Sequence, residues 1–363
     1  MPFADRVESN ASAARAAAGR LRHWLLHGPA LLSDGRHCGG VAGRVEGDRP
    51  VYVYAEITGY FLHWLADLAT HETHELLGER ARRAIDWSTR QFAAGRVPPT
   101  RVYLDATAND WRNDAVFFFD LAMLLRGSIA IAEAGIEAPP PALLGAVIAQ
   151  LAQFADHGVL RASRPLGPDV ALPRRWSTLG GPFLLKASSR VTLAQRFHEL
   201  PAPLRQACAH ELARWSPGAA NIPLDQLHPT LYFAEGLLLA RPQDLQPVGE
   251  LLARCLALQR ADGSLPEADV GSPLARSDII AQALRLGVLL RQENALSAPS
   301  DAQLDRLATA LLARVDHAGT IAFDIAAVSP QPNVWCAMFA EQALRWFADW
   351  RDGAPSGRIE ALV

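Results

Sequence analysis

The stretch Val51–Ala69, VYVYAEITGYFLHWLADLA, decides the fold. It is a long apolar run with one carboxylate, Glu56, near its start and a glycine, Gly59, three residues later. Leu62, Trp64, Leu65, Ala66 and Leu68 follow with almost no charge on any face. A helix that is apolar all round is a buried helix. A lone buried carboxylate is costly, so Glu56 must be paired, protonated or open to a water-filled cavity.

Five further segments share this character. They are residues 110–133 (DWRNDAVFFFDLAMLLRGSIAIAE), 184–198 (LLKASSRVTLAQRFH), 228–240 (HPTLYFAEGLLLA), 276–290 (RSDIIAQALRLGVLL) and 333–350 (NVWCAMFAEQALRWFADW). More polar, amphipathic segments follow the first five, over 73–93, 141–156, 202–215, 245–260 and 301–315. The sixth has no follower. The N-terminal segment 8–27, with Leu21, Trp24, Leu25 and Leu26 on one side, is the partner left for it. Residues 28–50 read as loop with a short strand or two, and GRVPP at 95–99 as a turn.

Alternation at roughly 45 to 70 residues marks a repeat architecture. An open array would need polar caps at both ends, whereas here the N-terminal helix completes the last hairpin. The expected fold is therefore all-α: an (α/α)6 toroid of six inner and six outer helices, one domain over residues 1–363.

Composition narrows the function classes. The chain has 363 residues, half of them hydrophobic, which is ample for a large core. Its formal net charge of -3 shows no basic surplus, so no nucleic-acid partner is expected. The Val51 run carries Glu56, His63 and Asp67 and does not read as a membrane span. The N-terminus lacks the basic-then-apolar order of a signal peptide. Cys38, Cys208, Cys255 and Cys336 are scattered with no C-x-x-C pair. That pattern predicts reduced thiols, no zinc knuckle and a cytoplasmic location. No cofactor motif stands out, and the oligomeric state is left open.

The turn Asp262-Gly263-Ser264 after Leu258-Gln259, together with YAEITGY (54–60) and NVWCAMFAEQALRWF (333–347), resembles the six-hairpin or α/α-toroid class of carbohydrate-active enzymes. The likeness extends to toroid proteins linked to polysaccharide metabolism and covers nearly the whole chain. It implies a small-molecule or oligosaccharide ligand and an enzyme of glycosidase, lyase or epimerase type. Toroids also serve terpene and lanthionine cyclases. However, no Asp-x-Asp-Asp run is present, nor is the Cys, Cys-His zinc set.

In such a ring the inner helices are parallel and their starts share one rim. The polar residues there are Tyr54, Glu56, Asp110, Trp111, Arg112, Asp114, Lys186, Arg190, His228, Tyr232, Arg276, Asp278, Asn333 and Trp335, with Tyr60 one turn beyond Glu56. Hydrolysis would need one protonated carboxyl and a second to activate water. Glu56, Asp114 and Asp278 are the candidates. A lyase or epimerase needs a base near neutral pKa, which His228 or a tyrosine would supply. Arg112, Lys186, Arg190 and Arg276 would neutralise a uronate carboxylate. Tyr60, Trp111, Tyr232 and Trp335 would offer faces to sugar rings.

Each has a structural counterpart. One of Asp110 and Asp114 is expected to be an N-cap, and Ser277 another. His71, Glu72, His74 and Glu75 form HETHE, which is not H-E-x-x-H, so no metal is expected there. Ser188 and Ser189 lack a G-x-S-x-G context, and no phosphate-binding glycine loop is present. Two other classes compete: a terpenoid-type cyclase, with Phe117, Phe118 and Phe119 in an apolar funnel, and a non-catalytic glycan-binding or scaffold toroid.

Overall fold

The computed structural model describes residues 3–93, 97–105, 107–108, 110–215, 222, 224–270, 272–324, 330–354 and 357–363. The GRVPP turn falls partly outside these residues. In chain order the helices are α1 Phe3–His27, α2 Ala55–Asp67, α3 His74–Phe92, α4 Phe118–Glu133, α5 Pro141–Ala152, α6 Trp176–Leu179, α7 Leu184–Leu193, α8 Ala202–Arg214, α9 Leu227–Ala240, α10 Leu245–Leu256, α11 Ser277–Gln292, α12 Asp301–Leu312 and α13 Val334–Arg351. The strands are β1 Ala42–Glu46, β2 Arg49–Tyr54, β3 Arg101–Tyr103, β4 Ala115–Phe117, β5 Ala155–Asp156, β6 Val159–Leu160 and β7 Ser163–Pro165. The chain is mostly helical and forms two compact units.

One unit comprises residues 28–216 with Val363. It holds three hairpins, α2/α3, α4/α5 and α7/α8. The first helix of each is buried: α2 from Ala55 to Leu65, α4 from Phe118 to Ile129, α7 from Leu184 to Val191. The second shows water one face. In α3, for example, Leu77, Ala81, Ala84, Ile85 and Ser88 are inside while Glu75, Glu79 and Arg82 are out. Thr73 caps α3 by accepting the Leu76 N–H. The closest packing is α2 on α4. A Cβ on Gly59 would lie 2.4 Å from the Met123 and Leu124 backbone, and one on Gly127 would lie 2.0 Å from the Gly59 carbonyl oxygen. Only glycine permits that approach. An antiparallel sheet β1-β2-β3 leads into α2, and β4 pairs with β7 ahead of α4.

The other unit comprises residues 1–27 and 217–362. Its hairpins are α9/α10, α11/α12 and the pair of α13 with α1. Helix α11 is buried without interruption from Ser277 to Leu290, and α13 is buried over most of its length. The N-terminal helix lies along α13. Arg22 donates to Glu341 at 3.0 Å and Arg15 to Asp349 at 2.8 Å. In the core, Arg285 of α11 donates to Glu235 of α9 and Gln342 of α13, each at 2.8 Å, and stacks over Phe339. This fully buried triad fixes the register of three neighbouring helices.

Two sequence expectations need correction. Residues 51–54 belong to β2, so the Val51 helix begins at Ala55. Residues 110–133 are not one helix: a 3-10 turn over Trp111–Asp114 and β4 come first, and α4 begins at Phe118. β-branched and aromatic residues favour extended backbone where a sheet partner exists, and β3 and β7 supply those partners.

Candidate functional site

In the unit of α9, α11 and α13, five predicted residues converge: His228, Tyr232, Arg276, Asp278 and Trp335. Asp278 is fully buried in the first turn of α11. Its Oδ2 accepts from Arg276 Nη2 at 2.7 Å and Trp335 Nε1 at 3.2 Å, and its Oδ1 from Arg276 Nε at 3.1 Å. Burial opposes ionisation, but the Arg276 guanidinium, with His228 and Trp335, holds the Asp278 carboxyl at about 2. Arg276 also reaches Glu267 at 3.3 Å and lies 4.4 Å over the Phe323 ring.

His228 Nδ1 sits 2.7 Å from Gln282 Oε1 and 3.5 Å from Asp278 Oδ2. Both face it as acceptors, so Nδ1 carries the proton and the lone pair of the neutral ring is on Nε2. Burial pulls its pKa down to about 4, the Asp278 charge pulling the other way and Arg276 adding to the depression. The ring is therefore neutral across the physiological range. Tyr232 stacks on it with centroids 4.3 Å apart. Ser277 is not the expected cap: its hydroxyl donates to the Ala322 carbonyl at 2.6 Å. Asn333 caps α13 through the Cys336 N–H.

In the unit of α2, α4 and α7, Glu56 is buried in the first turn of α2. Its charge acts on a second carboxyl, Asp120, in the first turn of α4, which the sequence pattern does not single out. Thr100 Oγ1 donates to Asp120 Oδ2 at 3.1 Å. Burial, then the Glu56 charge, pushes the Asp120 carboxyl well above the usual range. Tyr54 hydrogen-bonds Glu56, and burial with the charges of Asp120 and Glu56 keeps its phenol protonated.

Asp110 caps the 3-10 turn, as expected of one of the two aspartates, and gathers Arg112 at 2.9 Å, Arg101 at 3.2 Å and Tyr103 at 3.4 Å. Trp111 lies under the Arg112 guanidinium at 4.3 Å, with Arg175 at 5.9 Å. Asp114 is exposed at the end of this turn, not at a helix start. Lys186, the only lysine, is fully buried between the Tyr60 ring at 5.1 Å and the Val363 carbonyl oxygen at 3.1 Å. Arg190 is buried on the same helix. Among the described residues no three His, Cys, Asp or Glu side chains are placed to hold a metal ion.

No protein-family model matches the chain, and no curated protein matches it. Solved structures do. A cellobiose 2-epimerase from Spirochaeta thermophila shares 15% identity over 94% of this chain and 98% of its own, at a TM-score of 0.66. A D-mannose isomerase shares 14% identity over 96% of this chain and 99% of its own, also at 0.66. An unsaturated glucuronyl hydrolase specific for heparin shares 12% identity over 96% of this chain and 98% of its own, at 0.63. A type II terpene cyclase from Scytonema reaches 0.55, with 14% identity over 93% of this chain and 97% of its own. The fold is thus one that these sugar-acting enzymes share, and the terpene cyclase as well.

Proposed function

We propose that the chain is a carbohydrate-active enzyme of epimerase or isomerase type, its six hairpins closing as an (α/α)6 toroid. The observation that carries the reaction type is His228. A neutral imidazole with its Nδ1 proton held by Gln282 and Asp278 is a base ready for use. Asp278, at about 2, is too acidic to protonate a leaving oxygen near neutrality. It serves instead to fix the tautomer and to stabilise the imidazolium once formed.

The chemistry follows from those roles. His228 Nε2 takes the proton from the carbon next to the carbonyl of an open-chain sugar. An enediolate forms, and Arg276 stabilises its negative charge. Returning the proton to the other face inverts the centre, and returning it to the neighbouring carbon moves the carbonyl. Trp335 and Tyr232 offer aromatic faces to the ring. Four charged or ionisable groups around Asp278 suit a hydroxyl-rich ligand better than a hydrocarbon chain. The sugar enzymes of the same fold support this choice.

The test is solvent exchange at carbon. D-Mannose and cellobiose are incubated with the protein in heavy water, and deuterium at C2 is followed by NMR. Incorporation above that of heat-denatured protein is expected, lost in His228→Asn. Absence of incorporation with both sugars would sink the proposal.

A further inference from the structure

Helices α2 and α4 touch backbone to backbone at Gly59, Met123 and Leu124. Three residues back from Gly59 stands Glu56, and three back from Met123 stands Asp120. Both carboxyls act on Tyr54, and the charge of Glu56 acts on Asp120. Two buried carboxylates that repel each other do not both ionise near neutrality. Thr100 donates to Asp120, and Arg101 and Arg112, which share the single charge of Asp110, oppose the rise from one side without cancelling it. Of the other elements packed on α4, the 3-10 turn Ala194–Arg196 brings Arg196, which is exposed. Helix α5 has no titratable side chain, and α7 brings Lys186 and Arg190, with Lys186 engaged at Tyr60 and Val363. On α2 itself, His63 is within 3.2 Å of Arg126.

We propose that Glu56 and Asp120 form a one-proton carboxyl pair that opens and closes the ring of a reducing sugar. The step balances as follows. Glu56, as carboxylate, takes the proton of the anomeric hydroxyl. Asp120, as acid, gives its proton to the ring oxygen while the bond from that oxygen to C1 breaks and the C1 carbonyl forms. The pair ends with the same proton count, now carried by Glu56, and closure runs the exchange backwards onto either face. Such paired acid and base action suits groups of differing proton affinity. The inference rests on the reading that the ligand is a reducing sugar, and it supplies the open-chain form that the His228 chemistry requires.

The experiment follows equilibration of freshly dissolved α anomers of D-mannose and cellobiose by polarimetry at pH 7, beside C2 deuterium exchange. Wild type is expected to speed anomer equilibration over heat-denatured protein. Asp120→Asn and Glu56→Gln should each lose about 10²-fold or more of that acceleration, with melting temperatures no lower than wild type. No acceleration by folded wild type overturns the inference, as do both variants at the wild-type rate. Acceleration without C2 exchange upholds the carboxyl pair and sinks the epimerase function. C2 exchange without acceleration does the reverse.

Discussion

Asp278 and Asp120 occupy matching places, each in the first turn of a buried helix, and their surroundings drive them apart. Asp278 has Arg276 on both its oxygens, with Trp335 beside it. Asp120 has a threonine hydroxyl and a second carboxyl, while Arg101 and Arg112 bond to Asp110 and act on Asp120 only from a distance. One position yields a permanent anion that orients a base, the other an acid that keeps its proton. The lesson is that a helix start in this fold fixes only a location. The partner on the neighbouring helix or loop decides the chemistry.

The contrast breaks most visibly at Asp278. Asp278→Asn strips the counter-charge from buried Arg276, which keeps only Glu267. Losing one partner of a buried pair costs about 3 kcal/mol, and loss of an oriented base costs about 10²-fold or more in turnover. Differential scanning calorimetry and C2 exchange measure the two effects. Wild type itself carries an acid signature here. Its folded carboxyl titrates at about 2, below the unfolded value of roughly 4, so stability is present above pH 4 and falls as pH drops from 4 to 2. An unchanged melting temperature in Asp278→Asn would dissolve the distinction between the two sites.

A smaller effect separates His228 from its neighbours. Its folded pKa of about 4 lies below the unfolded value of roughly 6.5. The unfolded chain therefore binds the extra proton first, and stability is lost as pH falls from about 6.5 to about 4. His228→Gln should flatten melting temperature across that window while leaving the drop below pH 4. A variant whose melting curve keeps its slope between pH 6.5 and 4 would show that His228 is not buried neutral.

The smallest effect has the opposite sign. Asp120 binds its proton more tightly folded than unfolded, so its cost appears as pH rises above roughly 4. Asp120→Asn removes that cost and should stabilise the protein at pH 8 by on the order of 1 kcal/mol. Little change is expected at pH 4. Equal melting shifts at both pH values would mean that the two carboxyls do not interact.

Much of this was legible from residue order. Nine of the twelve helices of the six hairpins start within about two residues of where apolar periodicity puts them; α1, α2 and α4 are the exceptions. His228 and Asp278 were found because a charge near the start of an apolar helix must have a partner. Asp120 carries the same signal in FFFDLAML, a lone carboxylate in an apolar run. A helix drawn from Asp110 puts Asp114 at its start and hides Asp120 in its interior, whereas α4 begins at Phe118. The strand pairing of β4 with β7 joins residues about fifty apart, and no local pattern announces it. Gln282 was hidden differently: an amide in a buried helix declares itself only through the group it meets.

The contact of Gly59 with Gly127 works like the stop of a calliper. With no side chain at either jaw, the two helices close to the limit that backbone atoms allow, and the carboxyls one turn away inherit that gap. A single methyl group at Gly59 would open the jaws and weaken the repulsion between Glu56 and Asp120. The acidity of the pair would then change although neither carboxyl, nor anything bonded to it, had been altered.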